Sequence, residues 1–479
     1  MKYAMIIFIS LFLISCEDVL IEKPKAIVAE SFYNTPSELE TAVNAIFTPL
    51  RSNNCFGALY TWQLEAYSDF QVARGSYAVL NDYQGLDNTN ITRIGQIWDQ
   101  FFLAIRNANL VIENAPNASD ASEIEIEKYA AEARFMRGLI YFYMIPNWGR
   151  LPIITEKNYR DLHIPLSSED EVYRLILEDL EYAEQHLPNT PSVPGRPTKW
   201  AAKSVLAHVY FTRGDYGNAM NYSNEVIHSG EFSLVRVESV EDFQNLYGPK
   251  LISTPEEIFY FKYNIESGWW YVEFMHHPSD PYLGGKGLFA LYMDTVILEE
   301  RWSNWDSRDL RKNLYYPWEF GLGEHTMLNN KFMDPDILNN AANDFPLYRY
   351  ADILLMYAEA AARVQGSPTS DAIEKLNMVH RRAYGQNPLE PSEFDFKIDD
   401  FPDLSSFLDL VLLERGYETY YEGGKRWLDL KRLGRDKIIE VISEVKGKQI
   451  ADKHFLWPFP SGEFDLNEAM DDSEQNPGY

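Results

Sequence analysis

Cysteine is nearly absent from this chain. Two are present, Cys16 and Cys55, and the first closes an N-terminal apolar run. Two cysteines allow one disulfide at most, and Cys55 is expected to serve as a small buried apolar residue. Long apolar stretches are scarce as well. The run from Tyr3 to Ile14 is too short for a comfortable membrane-spanning helix and suits the middle of an export signal. Positive charge is in deficit: Lys and Arg number 43 against 72 Asp and Glu, a formal charge of −29. A field of that sign repels nucleic acid and anionic lipid and disfavours both as ligands. His-Glu-x-x-His, Gly-x-Ser-x-Gly, phosphate-loop, Cys-x-x-Cys and Gly-x-Gly-x-x-Gly patterns are all missing. A two-carboxylate glycosidase leaves no such signature, yet nothing in the chain points to an enzyme or to a cofactor.

What is present is organised around the block from Leu347 to Leu433. The stretch from Tyr348 to Val364 is apolar nearly all round, with Ile353, Tyr357 and Ala360 on one side and Leu354, Leu355 and Ala358 on the other. Such a helix belongs inside a larger protein, with other helices on both sides. Gly366-Ser367-Pro368 ends it, and a second helix follows through Ala372, Leu376 and Val379. Further on, Glu414, Glu418 and Glu422 lie four apart on one helix face, with Arg415 and Arg426 close in sequence. They read as an ion-pair lattice holding helices in register; the competing reading is a carboxylate active site.

Earlier segments carry matching helical signals. Thr35-Pro36-Ser37-Glu38 and Ser168-Glu169-Asp170-Glu171 are capping boxes. Helices are expected from Ile94 onward and from about Ser122 to Met144, the latter carrying Arg134 and Arg137 in an apolar stripe, where they are expected to bridge to helix carboxylates or carbonyl ends. Residues 199–229 have the spacing of a tetratricopeptide helix pair turning at Gly214-Asp215. Several such pairs are expected to stack into an array.

Two regions break the helical pattern, about 57–92 and 265–345, and both are rich in aromatics. Sugars bind by laying a C–H face on Trp or Tyr while polar groups take the hydroxyls. The candidate ligand residues are Trp269, Trp270, Tyr282 and Trp318, joined by Asp69 and Tyr77 from the first region. Trp269 and Trp270 are adjacent, so on an extended segment they point to opposite sides. His276-His277 lacks the further spaced ligands of a metal site and reads as a pair of loop histidines. The Gly284-Gly285-Lys286-Gly287 cluster reads as a flexible turn.

The run Arg349 to Ala360, the run Glu414 to Arg432, and the ending Leu456-Trp457-Pro458-Phe459-Pro460 through Tyr479 together resemble the SusD/RagB family of outer-membrane lipoproteins. Leu13-Ile14-Ser15-Cys16 resembles a lipobox, which implies cleavage before Cys16 and its lipidation; Glu17-Asp18 resembles an acidic signal for surface export. The resemblance implies a cell-surface protein that captures an oligosaccharide or polysaccharide. It would deliver that ligand to a SusC-like TonB-dependent transporter. A peptide ligand, as RagB-like members suggest, and a lid without ligand specificity of its own are the alternatives. The expected architecture is therefore all-α: a signal peptide at 1–15, a lipidated tether at 16–33, and one SusD-like domain at 34–479 built on tetratricopeptide-like pairs.

Overall fold

The computed structural model describes residues 32–479. The expected signal peptide, the Cys16 lipidation site and nearly all of the tether lie outside the described residues.

Local chemistry places the first helix, α1 (Pro36–Arg51): the Thr35 hydroxyl accepts from the Glu38 N–H, and the Glu38 carboxylate takes the Thr35 N–H at 2.9 Å. A short helix, α2 (Leu59–Glu65), follows, then α3 (Asn88–Asn114), α4 (Glu123–Trp148), α5 (Glu169–His186), α6 (Lys199–Thr212) and α7 (Tyr216–Ile227). Ser122 and Ser168 close the capping boxes of α4 and α5, and Gly214, at φ +77°, turns α6 into α7. Beyond a long excursion come α8 (Tyr350–Gln365), α9 (Ser370–Ala383), α10 (Leu404–Thr419), α11 (Lys425–Leu433) and α12 (Arg435–Lys446). Neighbours pack in the order α1, α3, α4, α5, α6, α7, α8, α9, which is the all-α array of helix pairs expected from the repeat spacing. Helix α8 lies between two apolar clusters: Ile353, Met356 and Ala360 join one, and Leu354, Leu355 and Ala358 the other.

Three departures concern the irregular regions. Residues 55–73 are buried throughout and include α2, so half of the first region runs through the core instead of over the surface. Helix α3 also begins at Asn88, before the expected Ile94, because the Asp87 side chain caps it by accepting the Asn90 N–H; its polar first turn reads as loop in the sequence. The second region contains strands. Two-residue β1 (Val72–Ala73) pairs antiparallel with β5 (Leu291–Asp294), and β7 (Thr326–Asn329) lies between β5 and β6 (Tyr315–Pro317). Separate two-stranded ladders join β2 (Leu151–Pro152) to β3 (Leu166–Ser167) and β4 (Glu257–Phe261) to β8 (Phe345–Arg349). The β4–β8 ladder holds the start and end of the excursion together, so the chain leaves the array after α7 and re-enters at α8 beside it.

The three glutamates of α10 and its C-terminal turn form the expected lattice, completed by partners distant in sequence. Buried Arg349 reaches Glu256 at 3.1 Å, Glu418 at 2.9 Å and Glu422 at 2.7 Å. Arg382 reaches Glu256 at 2.7 Å and Glu418 at 2.5 Å, and Arg311 reaches Glu414 at 2.9 Å. Burial alone would raise these carboxyls; the facing cationic side chains reverse it, with Arg311 and His380 bringing Glu414, and Arg382 and Arg349 bringing Glu418, to about 2. Burial brings the Lys331 ammonium beside Glu422 down to about 8. Solvent and substrate are excluded from these groups, so the lattice is structural. Arg137 of α4 is forked on Asp179 of α5 at 2.7 and 2.8 Å, as its place in the stripe predicts. The turn between α10 and α11 needs glycine twice. At Gly423 and Gly424 (φ +71° and +82°) a Cβ would meet Phe345 at 2.3 Å and Leu64 at 2.2 Å.

Candidate functional site

The two irregular regions meet through the β1–β5 pairing, with Val72 opposite Tyr292 and Ala73 opposite Leu291. One partly exposed aromatic face is built around this sheet. From β6 onward, Tyr316, Trp318 and Phe320 are half-buried while the intervening Pro317 and Glu319 are exposed, the alternation of an extended segment with one face laid on the protein. The Tyr282 ring lies 4.7 Å from that of Tyr316, and Trp318 stands edge-on to Tyr316 at 6.2 Å. Phe320 stacks on His277 at 5.5 Å and meets Phe289 at 4.1 Å. Trp270, half-buried, packs on Phe274 at 4.8 Å.

A buried acid holds this face in shape. Asp280 accepts from the Tyr316 hydroxyl at 3.2 Å and from the backbone N–H groups of His277 and Tyr282 at 2.8 and 2.9 Å. His276 lies 3.2 Å from it through Nδ1, and its Nε2 meets the Phe332 carbonyl at 2.7 Å. Burial would raise the Asp280 carboxyl, but the hydrogen bond and charge of His276 outweigh it and hold the acid below its usual range. Both nitrogens of His276 are therefore occupied and neither is left for a metal ion. Among the described residues no group of three or more His, Cys, Asp or Glu side chains could hold one.

Three of the six ligand residues expected from sequence lie elsewhere. Trp269 is fully buried: Tyr271 and Phe345 stack on it at 5.0 and 5.1 Å, and its indole N–H donates to the Phe56 carbonyl at 3.1 Å. With no exposed surface and its N–H engaged, it is a core residue. Asp69 is also fully buried, taken by Arg426 through both carboxylate oxygens at 2.8 Å and by Arg301 at 2.8 Å. Burial opposes its ionisation, yet those two guanidiniums hold it far below the usual carboxylate range and leave no free acceptor for a ligand. Tyr77 is 4% exposed, stacked on Trp62 at 4.6 Å with the Arg93 guanidinium 4.1 Å from its ring centroid. Aromatic rings packed this way supply apolar burial, and that need drew these side chains inward.

Tyr282 and Trp318 lie together on the face, and Trp270 stands near its margin. Sequence reasoning omitted Tyr316, Phe320 and His277 as ligand candidates, although the every-second-residue pattern Tyr316-x-Trp318-x-Phe320 was there to be read. The rings of this face are half-buried. A cleft of about 360 Å³ is lined by scaffold residues instead, among them Phe142, Tyr173, His208 and Lys431.

The array and the loop-built face define an all-α protein of the tetratricopeptide-like class. Residues 323–479 match a model described as the SusD family, and residues 23–211 match one described as starch-binding associating with the outer membrane. The chain belongs to the SusD/RagB family. It is 27% identical to SusD-like protein P2 of Formosa agariphila, with all of both chains covered, and 23% identical to SusD-like protein P25 of the same organism, with 97% of each covered. A solved SusD homolog from Bacteroides thetaiotaomicron superposes with a TM-score of 0.79 at 21% identity, covering 94% of this chain and 98% of the other. The surface glycan-binding protein A of Bacteroides fluxus superposes with a TM-score of 0.72 at 20% identity, covering 93% and 100%.

Proposed function

We propose that this protein is a lipid-anchored, cell-surface glycan-binding protein that captures an oligosaccharide or polysaccharide and delivers it to a SusC-like TonB-dependent transporter. The observation that carries the reading is the row Tyr282, Tyr316, Trp318 and Phe320, partly exposed, with rings 4.1 to 6.2 Å from their aromatic neighbours. Several half-buried rings on an open face, set at angles to one another, offer successive contacts for the sugar faces of a polymer, whereas a small molecule is normally enclosed. The family, whose second model is described as starch-binding and outer-membrane-associated, supports both ligand class and location. Binding without catalysis fits a face whose central acid, Asp280, is held in hydrogen bonds to Tyr316 and two backbone N–H groups. The lipobox-like Leu13-Ile14-Ser15-Cys16 supports anchoring through Cys16, and the family supports the transporter partnership.

The test uses the chain from Glu17, which keeps every described residue, run in native gels containing individual polysaccharides. Retardation by one polymer, lost in Trp318→Ala and weakened in Tyr282→Ala, is the expected outcome. Retardation that survives in both variants would refute this placement of the site. Retardation by no plant, host or microbial glycan would overturn glycan capture and favour a peptide ligand or a lid role. Co-purification of the lipidated protein with a TonB-dependent barrel checks the partner.

A further inference from the structure

Arg74 is the one cation of the aromatic face with a planar fork and no acceptor among the described residues. It follows β1 directly, and its backbone N–H donates to the Ala290 carbonyl at 3.0 Å, which fixes where the side chain starts. Its guanidinium lies 4.5 Å from the centroid of Phe289, the ring that meets Phe320 at 4.1 Å. The residue is exposed, and no carboxylate or side-chain hydrogen bond engages it among the described residues. Most arginines of this acidic chain are committed to carboxylates. Arg93, on the same flank, packs over Tyr77 but donates to Ser76 at 2.8 Å and Asn90 at 3.0 Å, so it serves the local turn. Arg74 serves no such turn.

Four neighbouring acids are already engaged. Asp280 holds Tyr316 and His276, Asp294 faces His325 at 3.3 Å and accepts from the N–H groups of Val296 and Ile297, and Asp82 pairs with Lys448 at 2.9 Å. Exposed Glu319 accepts from the Gly321 N–H at 2.8 Å. Lys286, half-buried in the same region, donates to the Asn339 carbonyl. A guanidinium resting on a ring keeps its N–H groups pointing outward in one plane, the geometry that grips a carboxylate or a sulfate through two hydrogen bonds.

From this we infer that the glycan bound at the face carries acid groups, uronate carboxylates or sulfate esters, and that Arg74 is the residue that selects them. The inference rests on the glycan reading above and specifies the class of sugar. The overall negative charge disfavours polyanions, but charges farther away than a screening length of roughly 8 Å are largely masked at physiological salt. That background field acts equally on wild type and on an Arg74 variant, so their ratio isolates the local contact.

Titration calorimetry on the chain from Glu17 tests it with four polymers: polygalacturonate, the same polymer with its carboxylates reduced to alcohols, a sulfated galactan, and that galactan desulfated. The expected result is an affinity for one acid polymer at least about tenfold above that for its neutralised form, lost in Arg74→Gln and partly kept in Arg74→Lys, which retains charge without the fork. Which of the two acid polymers shows the preference distinguishes carboxylate from sulfate. Equal binding of acid and neutral forms, binding of uncharged polymers only, or a preference that survives in Arg74→Gln overturns the assignment. In those cases loss of binding in Trp318→Ala leaves the glycan reading standing. Failure to bind any of these four or any polymer of the gel panel overturns both.

Discussion

The block around α8 and α10 and the face around β5–β7 use side chains in opposite ways. The block buries charge: Arg349, Arg382, Glu256, Glu418 and Glu422 are all within 1% of complete burial. The face leaves rings in reach of solvent: Tyr282, Tyr316, Trp318 and Phe320 all keep part of their surface exposed. Buried ion pairs hold one geometry, because breaking one strands an uncompensated charge. Half-buried rings such as Trp318 and Phe320 tolerate change, because each contributes a modest area and no buried hydrogen bond. The lesson is that the most conspicuous charges in this chain belong to the scaffold, and its modest exposed aromatics form the candidate site.

Removing a lattice member should have the largest effect. Arg349→Met leaves three carboxylates short of a guanidinium, and urea unfolding should show a loss of about 3–5 kcal/mol or failure to fold. A loss under about 1 kcal/mol would mean that the block is no more sensitive than the surface. Next, Trp269→Ala should cost about 3–5 kcal/mol, as truncation of a fully buried Trp does. Trp318→Ala should cost well under half of that while removing polymer retardation. Equal destabilisation by the two would erase the distinction drawn between core and face.

Acid should act on the block most strongly. Glu414 and Glu418 titrate at about 2 in the folded protein, below the ordinary 4.5. A folded value below the unfolded one contributes stability that is complete above about 4.5 and drains away as pH falls towards 2. Urea midpoints should therefore decline progressively between pH 4.5 and 2. Glu414→Gln should lower the midpoint at pH 7 and flatten that decline. A midpoint unchanged between pH 5 and 3 would count against the lattice as a source of stability.

Much of the scaffold was legible from sequence because its determinants are local. The Thr35/Glu38 and Ser168/Glu171 boxes, the turn at Gly214 and the all-round apolar pattern of α8 each need only a few neighbouring residues to act. The lattice was half legible: the spacing of Glu414, Glu418 and Glu422 announced it, but Glu256, Arg311 and Arg382 could not be matched to it without the fold. The site was least legible. Trp269 and Trp318 are the same residue type in the same kind of segment, and only tertiary packing, with Tyr271 and Phe345 enclosing Trp269, separates a core ring from a surface one. Asp69 looked like a hydroxyl acceptor until Arg301 and Arg426 reached it from far along the chain.

The β4–β8 ladder has a consequence for how this chain comes into existence. Helix α7 packs on α8, yet residues 228–349 intervene, so that contact closes a long loop whose entropic cost rises only as the logarithm of its length. Helices α4 to α7 have partners nearby in sequence and can assemble as soon as they are synthesised, whereas the apolar side of α7 waits for the excursion to return. During that interval the nascent protein carries an uncovered seam. The ladder is the clasp that shuts it.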